Sequence, residues 1–249
     1  MDKIAIISDV HGNLIALKEV LKDIKNQKIE HIYCLGDLVA KGAEPKETVE
    51  LVRKKCEVVI KGNCDDIVSE NMETSEHKWN RKQIGEKNAQ YLKNLPLSYD
   101  FLLSGLKVRL IHASPNSMYD SINYYDIEEG LNDQIKGMFK FDDGYKPDIV
   151  IFGHIHSPFI YRLDKKMLLN PGSVSNGCDI VKDEKNTYNL ASYMILEGEL
   201  NSKEKGIISY EIVKIPYDYK KEIDNLQKSD MPNKKLAIKE LETGIYNKR

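Results

Sequence analysis

Five short apolar runs in this chain each give way abruptly to glycine, asparagine, aspartate or histidine, and that punctuation constrains the fold more than any other feature. Ile4–Ile7 leads into Ser8-Asp9-Val10-His11-Gly12-Asn13, Ile32–Leu35 into Gly36-Asp37, and Val58–Ile60 towards Gly62-Asn63-Cys64-Asp65. Val108–Ile111 meets His112, and Ile149–Phe152 meets Gly153-His154-Ile155-His156. Such runs are long enough for buried strands and too short for helices. Between the first three lie two helical patterns. Leu14, Leu17, Leu21 and Ile24 share one face with Lys18, Lys22 and Lys25 elsewhere, and Pro45 opens a second helix reaching Lys54. Strand, helix, strand, helix, strand implies parallel pairing through right-handed crossovers. Ligands of open α/β sheets gather beyond the carboxyl ends of the strands, so residues far apart in sequence can converge on one edge.

The rest of the chain changes character. The stretch from Asp65 to Leu95 is polar and helical in pattern, with Trp79 and Tyr91 suited to packing, and reads as an insertion beside the sheet. Tyr99–Leu103 and Val108–Ile111 form a hairpin pattern that turns near Ser104-Gly105, and a helix is expected over Ile127–Phe139. Later strands are expected at Phe159–Leu163, Met167–Leu169, Ser192–Leu196 and Ile207–Val213. No long helices separate them, so this half is expected to be antiparallel or mixed. After Pro216 the chain turns charged and helical, with Pro232 between two segments.

Composition narrows the function classes. Hydrophobic residues at 41% and charged residues at 31% describe an ordinary globular chain rather than a disordered one. With 37 basic against 39 acidic side chains, the net charge of −2 argues against a general polyanion binder, so a nucleic-acid partner is not expected. No apolar run approaches the roughly 20 residues of a membrane span. Cys34, Cys56, Cys64 and Cys178 are irregularly spaced without a CxxC pair, which suits free thiols. A cytoplasmic protein is the expectation, and a homo-oligomer is compatible with it.

Taken singly, the motifs are weak. Asp-x-His recurs by chance, Gly-Asp after a strand is usually a turn, and a lone His112 is often a satisfied buried histidine. His154-x-His156 is stronger, because alternate residues of an extended segment face the same way and can share a metal site. Their coincidence is what matters: four of the chain's six histidines sit at strand ends beside Asp or Gly, whereas His31 and His77 do not.

The ordered pattern D-x-H, G-D, G-N-x-[DE], H and G-H-x-H resembles the calcineurin-like metallophosphoesterase superfamily. It is most similar to the small bacterial and archaeal branch that includes the YfcE-type phosphodiesterases. His112-Ala113-Ser114-Pro115 and Asn170-Pro171-Gly172-Ser173 are further local similarities. The resemblance implies an α/β fold, a sandwich of two mixed β-sheets flanked by α-helices. It places a metallophosphoesterase domain at 1–215, with a helical insertion at about 66–95, and a C-terminal helical extension of the same domain at 216–249. That extension is similar to one in a diadenosine-tetraphosphatase-like subgroup. The implied cofactors are two divalent ions: one held by Asp9, His11, Asp37 and His156, the other by Asp37, Asn63, His112 and His154, with Asp37 bridging. Mixed N/O donors suit manganese, iron, zinc, nickel or cobalt better than magnesium or calcium. Two such ions activate a bridging water for in-line attack on phosphorus, so the nucleophile is hydroxide rather than a side chain. Asp37, Asn63 and His112 are then the catalytic set, and the expected partner is a small phosphorylated substrate such as a nucleotide.

One departure matters. Many superfamily members carry a histidine after the asparagine, thought to protonate the leaving group; here that position is Cys64. Lost acid assistance, typically worth about 10²–10⁴-fold, favours diesters, cyclic nucleotides or phosphoanhydrides over alkyl monoesters. The expected function is therefore a dinuclear metal-dependent phosphodiesterase. The alternatives are a dinucleoside polyphosphate hydrolase and, from another class, an inactive metal-binding scaffold. Asp65 is a candidate support for the ligands, Asn13 for its own loop, and Tyr119, Tyr124 and Tyr125 for contact with a base.

Overall fold

The computed structural model describes residues 1–70, 74–120, 132–176 and 189–244. Strand β1 (Asp2–Ile7) is followed by α1 (Leu14–Asn26), β2 (His31–Cys34), α2 (Pro45–Lys55) and β3 (Val58–Val59). Then come α3 (Asn63–Glu70), α4 (Ser75–Lys93), the hairpin β4 (Ser98–Leu103) and β5 (Leu106–Ile111), a short α5 (Asn132–Gly137), β6 (Ile149–Phe152), β7 (Phe159–Leu163) and β8 (Lys166–Asn170). The chain continues through β9 (Leu190–Gly198), β10 (Ser209–Pro216), α6 (Tyr219–Lys228) and α7 (Lys234–Thr243).

Two five-stranded sheets form, in the orders β10-β9-β1-β2-β3 and β4-β5-β6-β8-β7. In the first, β1, β2 and β3 run parallel, while β9 is antiparallel to both β1 and β10. The second pairs β5, β6 and β8 in parallel, with β4 and β7 antiparallel at its edges. Strand periodicity sorts the layers. Ile4 and Ile6 enter a core shared with Val108, Leu110, Ile149 and Ile151 of the opposite sheet. Their neighbours Ala5 and Ile7 face the other way, into a core built with Leu17, Val49, Trp79, Leu226 and Leu241 of the helices. The second sheet's outer face joins Ile135 and Met138 in a third cluster. The protein is thus an α/β sandwich of two mixed sheets flanked by helices. Because the first sheet is buried on both faces, its inner strands read as continuous apolar runs rather than alternations.

Several element bounds differ from expectation. The expected strand at Ile207–Val213 begins two residues later and runs to Pro216, because pairing with β9 from Glu197 to Leu190 sets its register. Ile207 is left 72% exposed, so its apolar side chain misdirected the reading. The helical stretch after β3 starts at Asn63, within the motif itself, and is two helices. Thr74 caps the second by accepting the His77 N–H at 3.1 Å, and Gly85 breaks it with φ 72° and ψ 171°. Of the helix expected over Ile127–Phe139, residues 127–131 lie outside the described residues, and α5 covers Asn132–Gly137. Trp79 and Tyr91 pack as expected: Trp79 Nε1–H donates to Asp230 at 2.6 Å, and the Arg53 guanidinium lies 4.8 Å over the Tyr91 ring. His31 opens β2 at its amino end, away from the carboxyl ends of the strands, and pairs with Glu57. No helix among the described residues is long and apolar enough to cross a membrane.

Candidate metal centre

The seven residues singled out by the motifs meet where the parallel strands of the two sheets end. Asp9 and His11 follow β1, Asp37 follows β2, and Asn63 opens α3 after β3. His112 follows β5, and His154 and His156 follow β6. Five of them have left-handed backbones: Asp9 (φ 53°), His11 (48°), Asp37 (55°), His154 (66°) and His156 (61°). Residues with a Cβ avoid that region, and it is held only where surrounding bonds over-determine it. Here they do. Asp9 N–H donates to Gly36 O at 3.0 Å, and His11 N–H to Asp37 O at 2.8 Å.

The side chains form two groups. In one, His11 Nε2 lies 3.0 Å from His156 Nε2, 3.8 Å from Asp9 Oδ1 and 3.8 Å from Asp37 Oδ2, and His156 Nε2 is 3.3 Å from Asp9 Oδ1. In the other, Asn63 Oδ1 lies 3.0 Å from His112 Nε2 and 2.9 Å from His154 Nδ1, and Asp37 Oδ1 is 3.5 Å from His112 Nε2. The expectation that His154 and His156 face one site through an extended backbone is corrected. Their left-handed turn sends the two rings to different groups.

Hydrogen bonding behind the rings decides which atoms face inward. His11 Nδ1 lies 3.0 Å from Val39 O, and His112 Nδ1 lies 2.7 Å from Leu35 O. A neutral ring donating there presents its Nε2 lone pair to the group. Lone pairs on imidazoles, carboxylates and an amide oxygen therefore converge, and Asp9 Oδ1 is buried with no hydrogen-bond donor. Such an arrangement is costly alone and is satisfied by cations. The donor set fits divalent metal ions: Asp9, His11 and His156 form one candidate group, Asp37, His112 and His154 another, and Cys64 joins His11 and Asp37 in a third.

Burial, then the charge of Lys41, lowers the His11 pKa to about 3, and burial together with His112 lowers His154 to about 4. Both rings are neutral at neutral pH. Burial opposes protonation of His112 as well, but the Asp37 carboxylate outweighs it and raises this ring to about 9. Burial alone would raise Asp9 and Asp37, yet His156 beside the first and His112 beside the second hold both well below the usual carboxylate range. A cation entering at His112 must displace its proton, so binding should tighten as pH rises towards about 9. Calorimetric titration of metal-free protein near pH 7.5 in buffers of different ionisation enthalpy should show about one proton released per chain. A buffer-independent heat would mean that His112 is already neutral.

Supporting residues were only partly legible. Asp65 supports a ligand residue through the backbone: its carboxylate accepts the N–H groups of Asp37 and Leu38 at 2.8 Å each and of Gly62 at 3.1 Å. Asn13 caps α1 through Ala16 N–H and donates to Ser175 O at 3.3 Å, tying its loop down. Ser8 Oγ–H donates to Asp9 Oδ2 at 2.6 Å. Asn170 Nδ2–H donates to Gly153 O and Ser173 Oγ–H to Asp9 O, both at 2.8 Å, so the Asn-Pro-Gly-Ser segment props up two ligand loops. Buried Lys41 was missed altogether, although a lysine between Ala40 and Gly42 in an apolar stretch was a visible signal. Tyr119 lies beyond His112 and donates its hydroxyl to Asp66 at 2.6 Å; Tyr124 and Tyr125 lie outside the described residues.

Comparison with known proteins agrees with this fold. The family model of the calcineurin-like phosphoesterase superfamily domain matches residues 2–197. The Methanocaldococcus jannaschii protein MJ0912 is 34% identical over 253 aligned positions, covering 92% of this chain and 93% of that protein. Among solved structures, a metallophosphoesterase from Sphaerobacter thermophilus superposes with a TM-score of 0.72 at 24% identity, covering 98% and 99% of the two chains. The Pyrococcus horikoshii protein PH1004 gives 0.75 at 18% identity, covering 99% and 100%. By the matched domain and the identity shared along nearly its whole length, the chain belongs to the calcineurin-like phosphoesterase superfamily.

Proposed function

We propose that this protein is a metal-dependent phosphoesterase of small phosphorylated molecules, acting best on phosphodiesters. The observation that supports it is the pair of lone-pair clusters sharing Asp37, whose two oxygens face different clusters. In this reading Asp9, His11, Asp37 and His156 hold one ion, and Asp37, Asn63, His112 and His154 the other. Manganese, iron, zinc, nickel and cobalt suit those donors. Two such ions supply Lewis acidity and an activated water. The chain's own groups do the rest. His11 and His154 stay unprotonated and available, and the backbone bonds at Val39 and Leu35 fix the aim of His11 and His112.

Cys64 governs the leaving group. Burial, and then the charge of Asp37, pushes its thiol well above the ordinary value, so it stays protonated and donates weakly. Substrates that depart as stabilised anions are favoured. A hydrolysis panel with Mn²⁺, Ni²⁺ or Co²⁺ should show turnover of aryl diesters and cyclic nucleotides, abolished by chelation, and little turnover of alkyl monoesters. No turnover in any class would favour the scaffold reading. Cys64→His is expected to raise kcat/KM on poor leaving groups by about 10²-fold relative to activated ones. An equal rise on both would remove the leaving-group argument.

A specific observation favours nucleotide-bearing substrates such as dinucleoside polyphosphates. Tyr119 is the one exposed aromatic side chain among the described residues, 48% exposed, and its bond to Asp66 ties it to the first turn of α3, which carries Asn63 and Cys64. A planar base has a ring to stack on there.

A further inference from the structure

The loop that leaves Asp37 doubles back on the turn carrying His11. Gly42 N–H donates to His11 O at 2.7 Å, and Glu44 N–H to Gly12 O at 3.0 Å. Lys41 lies in that loop with a left-handed backbone (φ 60°) and a buried side chain. A buried ammonium is costly unless paired. One partner comes from the far end of the chain: Lys41 Nζ is 3.4 Å from Glu240 Oε2 on α7, a residue 1% exposed. Asn176 Nδ2–H donates to the same carboxylate oxygen at 3.4 Å. Nearby, Glu222 on α6 accepts Ala43 N–H at 2.9 Å, Asn225 donates to Glu44 at 3.2 Å, and Tyr217 donates to Ser175 O at 2.5 Å. Ser175 in turn donates its N–H to Asp9 O at 3.2 Å. Both loops behind the Asp9, His11 and His156 group are thus gripped by the C-terminal segment.

Gly42, the next residue, is bonded to His11 O, so buried Lys41 sits on a loop held directly against a ligand of that group. A buried positive charge on that loop repels a doubly charged ion entering the group, since the Coulomb energy scales with the product of charges. The carboxylate from α7 offsets that repulsion.

We propose that Glu240 is a positioning residue of the metal centre: by holding and neutralising Lys41 behind His11, the C-terminal helix sets the cation affinity of the Asp9, His11 and His156 group. The inference rests on the metal-centre reading given under Proposed function. The competing account is an ion pair that merely staples the helix down.

The test is Co²⁺ titration of metal-free full-length protein, read by the visible absorption of bound cobalt, with thermal melting recorded alongside. Glu240→Gln should weaken the affected site by about tenfold or more. Lys41→Gln, which leaves the Glu240 charge unbalanced, should bind about threefold or more tighter than wild type, and the double variant Lys41→Gln/Glu240→Gln should return to within about threefold of wild type. A staple predicts otherwise: a lowered melting temperature in all three variants with unchanged cobalt affinity. That outcome, or a double variant no better than Glu240→Gln, overturns the proposal. Should Glu240→Gln fail to fold, Lys41→Gln decides alone, and an unchanged or weakened affinity there overturns it. Wild-type protein that binds no cobalt would bring down the metal-centre reading and this inference with it. Cobalt binding indifferent to Glu240 removes this inference only.

Discussion

Asp37→Asn should lower turnover of an aryl phosphodiester by roughly 10³-fold or more, the range expected when a principal electrostatic group is lost from a site. The amide keeps the shape and loses the charge. Asp37 Oδ1 already accepts Cys64 N–H at 2.8 Å, so the amide oxygen will take that place. The NH₂ group then points to His11 Nε2, where Oδ2 stood at 3.8 Å. A donor replaces an acceptor between the two groups, and metal content by elemental analysis should fall to about half that of the wild type. The proton count should change too. Without the neighbouring carboxylate His112 loses what holds its pKa at about 9, so metal binding near neutral pH should release less than the wild type does. A variant with wild-type turnover and metal content would show that the carboxylate bridges nothing.

Gly62→Ala should be nearly as damaging by another route. A Cβ at Gly62 would lie 2.1 Å from Asp37 Oδ1 and 2.3 Å from Asp37 N, distances at which the neighbour must move. The backbone nitrogen has little freedom, being held by Asp65 at 2.8 Å. Overpacking of this kind costs about 3 kcal/mol, or a fall in Tm of about 6–12 °C for a chain of this size. Because the displaced group is Asp37, metal affinity should drop along with stability. Gly137→Ala is the control: a Cβ there meets nothing within 4 Å, and Tm should be unchanged or slightly raised. Equal melting temperatures for Gly62→Ala and the wild type would mean that the turn has more room than the geometry allows.

These two variants also mark how far the sequence could be read. The strand ends were legible because buried parallel strands announce themselves as apolar runs, and a glycine or histidine closing such a run stands out. That punctuation marks the segments, and the family resemblance picks out the seven residues from Asp9 to His156 among them. Conformation and partnership were less legible. Nothing in the spelling of Gly153-His154-Ile155-His156 says that the two rings diverge, because divergence comes from a left-handed turn that neither histidine prefers alone. Asp65 was legible as a support for a ligand, but that it works by clamping the backbone N–H groups of Asp37 and Leu38 was not, because that task is set by three-dimensional approach. Ile207 misled because pairing with β9, not its own side chain, decides where β10 begins. Lys41 and Glu240 are 199 positions apart, and no local pattern links them.

The left-handed backbones at Asp9, His11, Asp37, His154 and His156 have an evolutionary corollary. Each such residue costs of order 1–3 kcal/mol, strain that a glycine in its place would relieve. Decay of the site is therefore downhill: a descendant that abandoned catalysis could shed these residues one at a time and melt at a higher temperature for it. A chain that carries all five holds them against a thermodynamic gradient, bearing strain that packing alone would not keep.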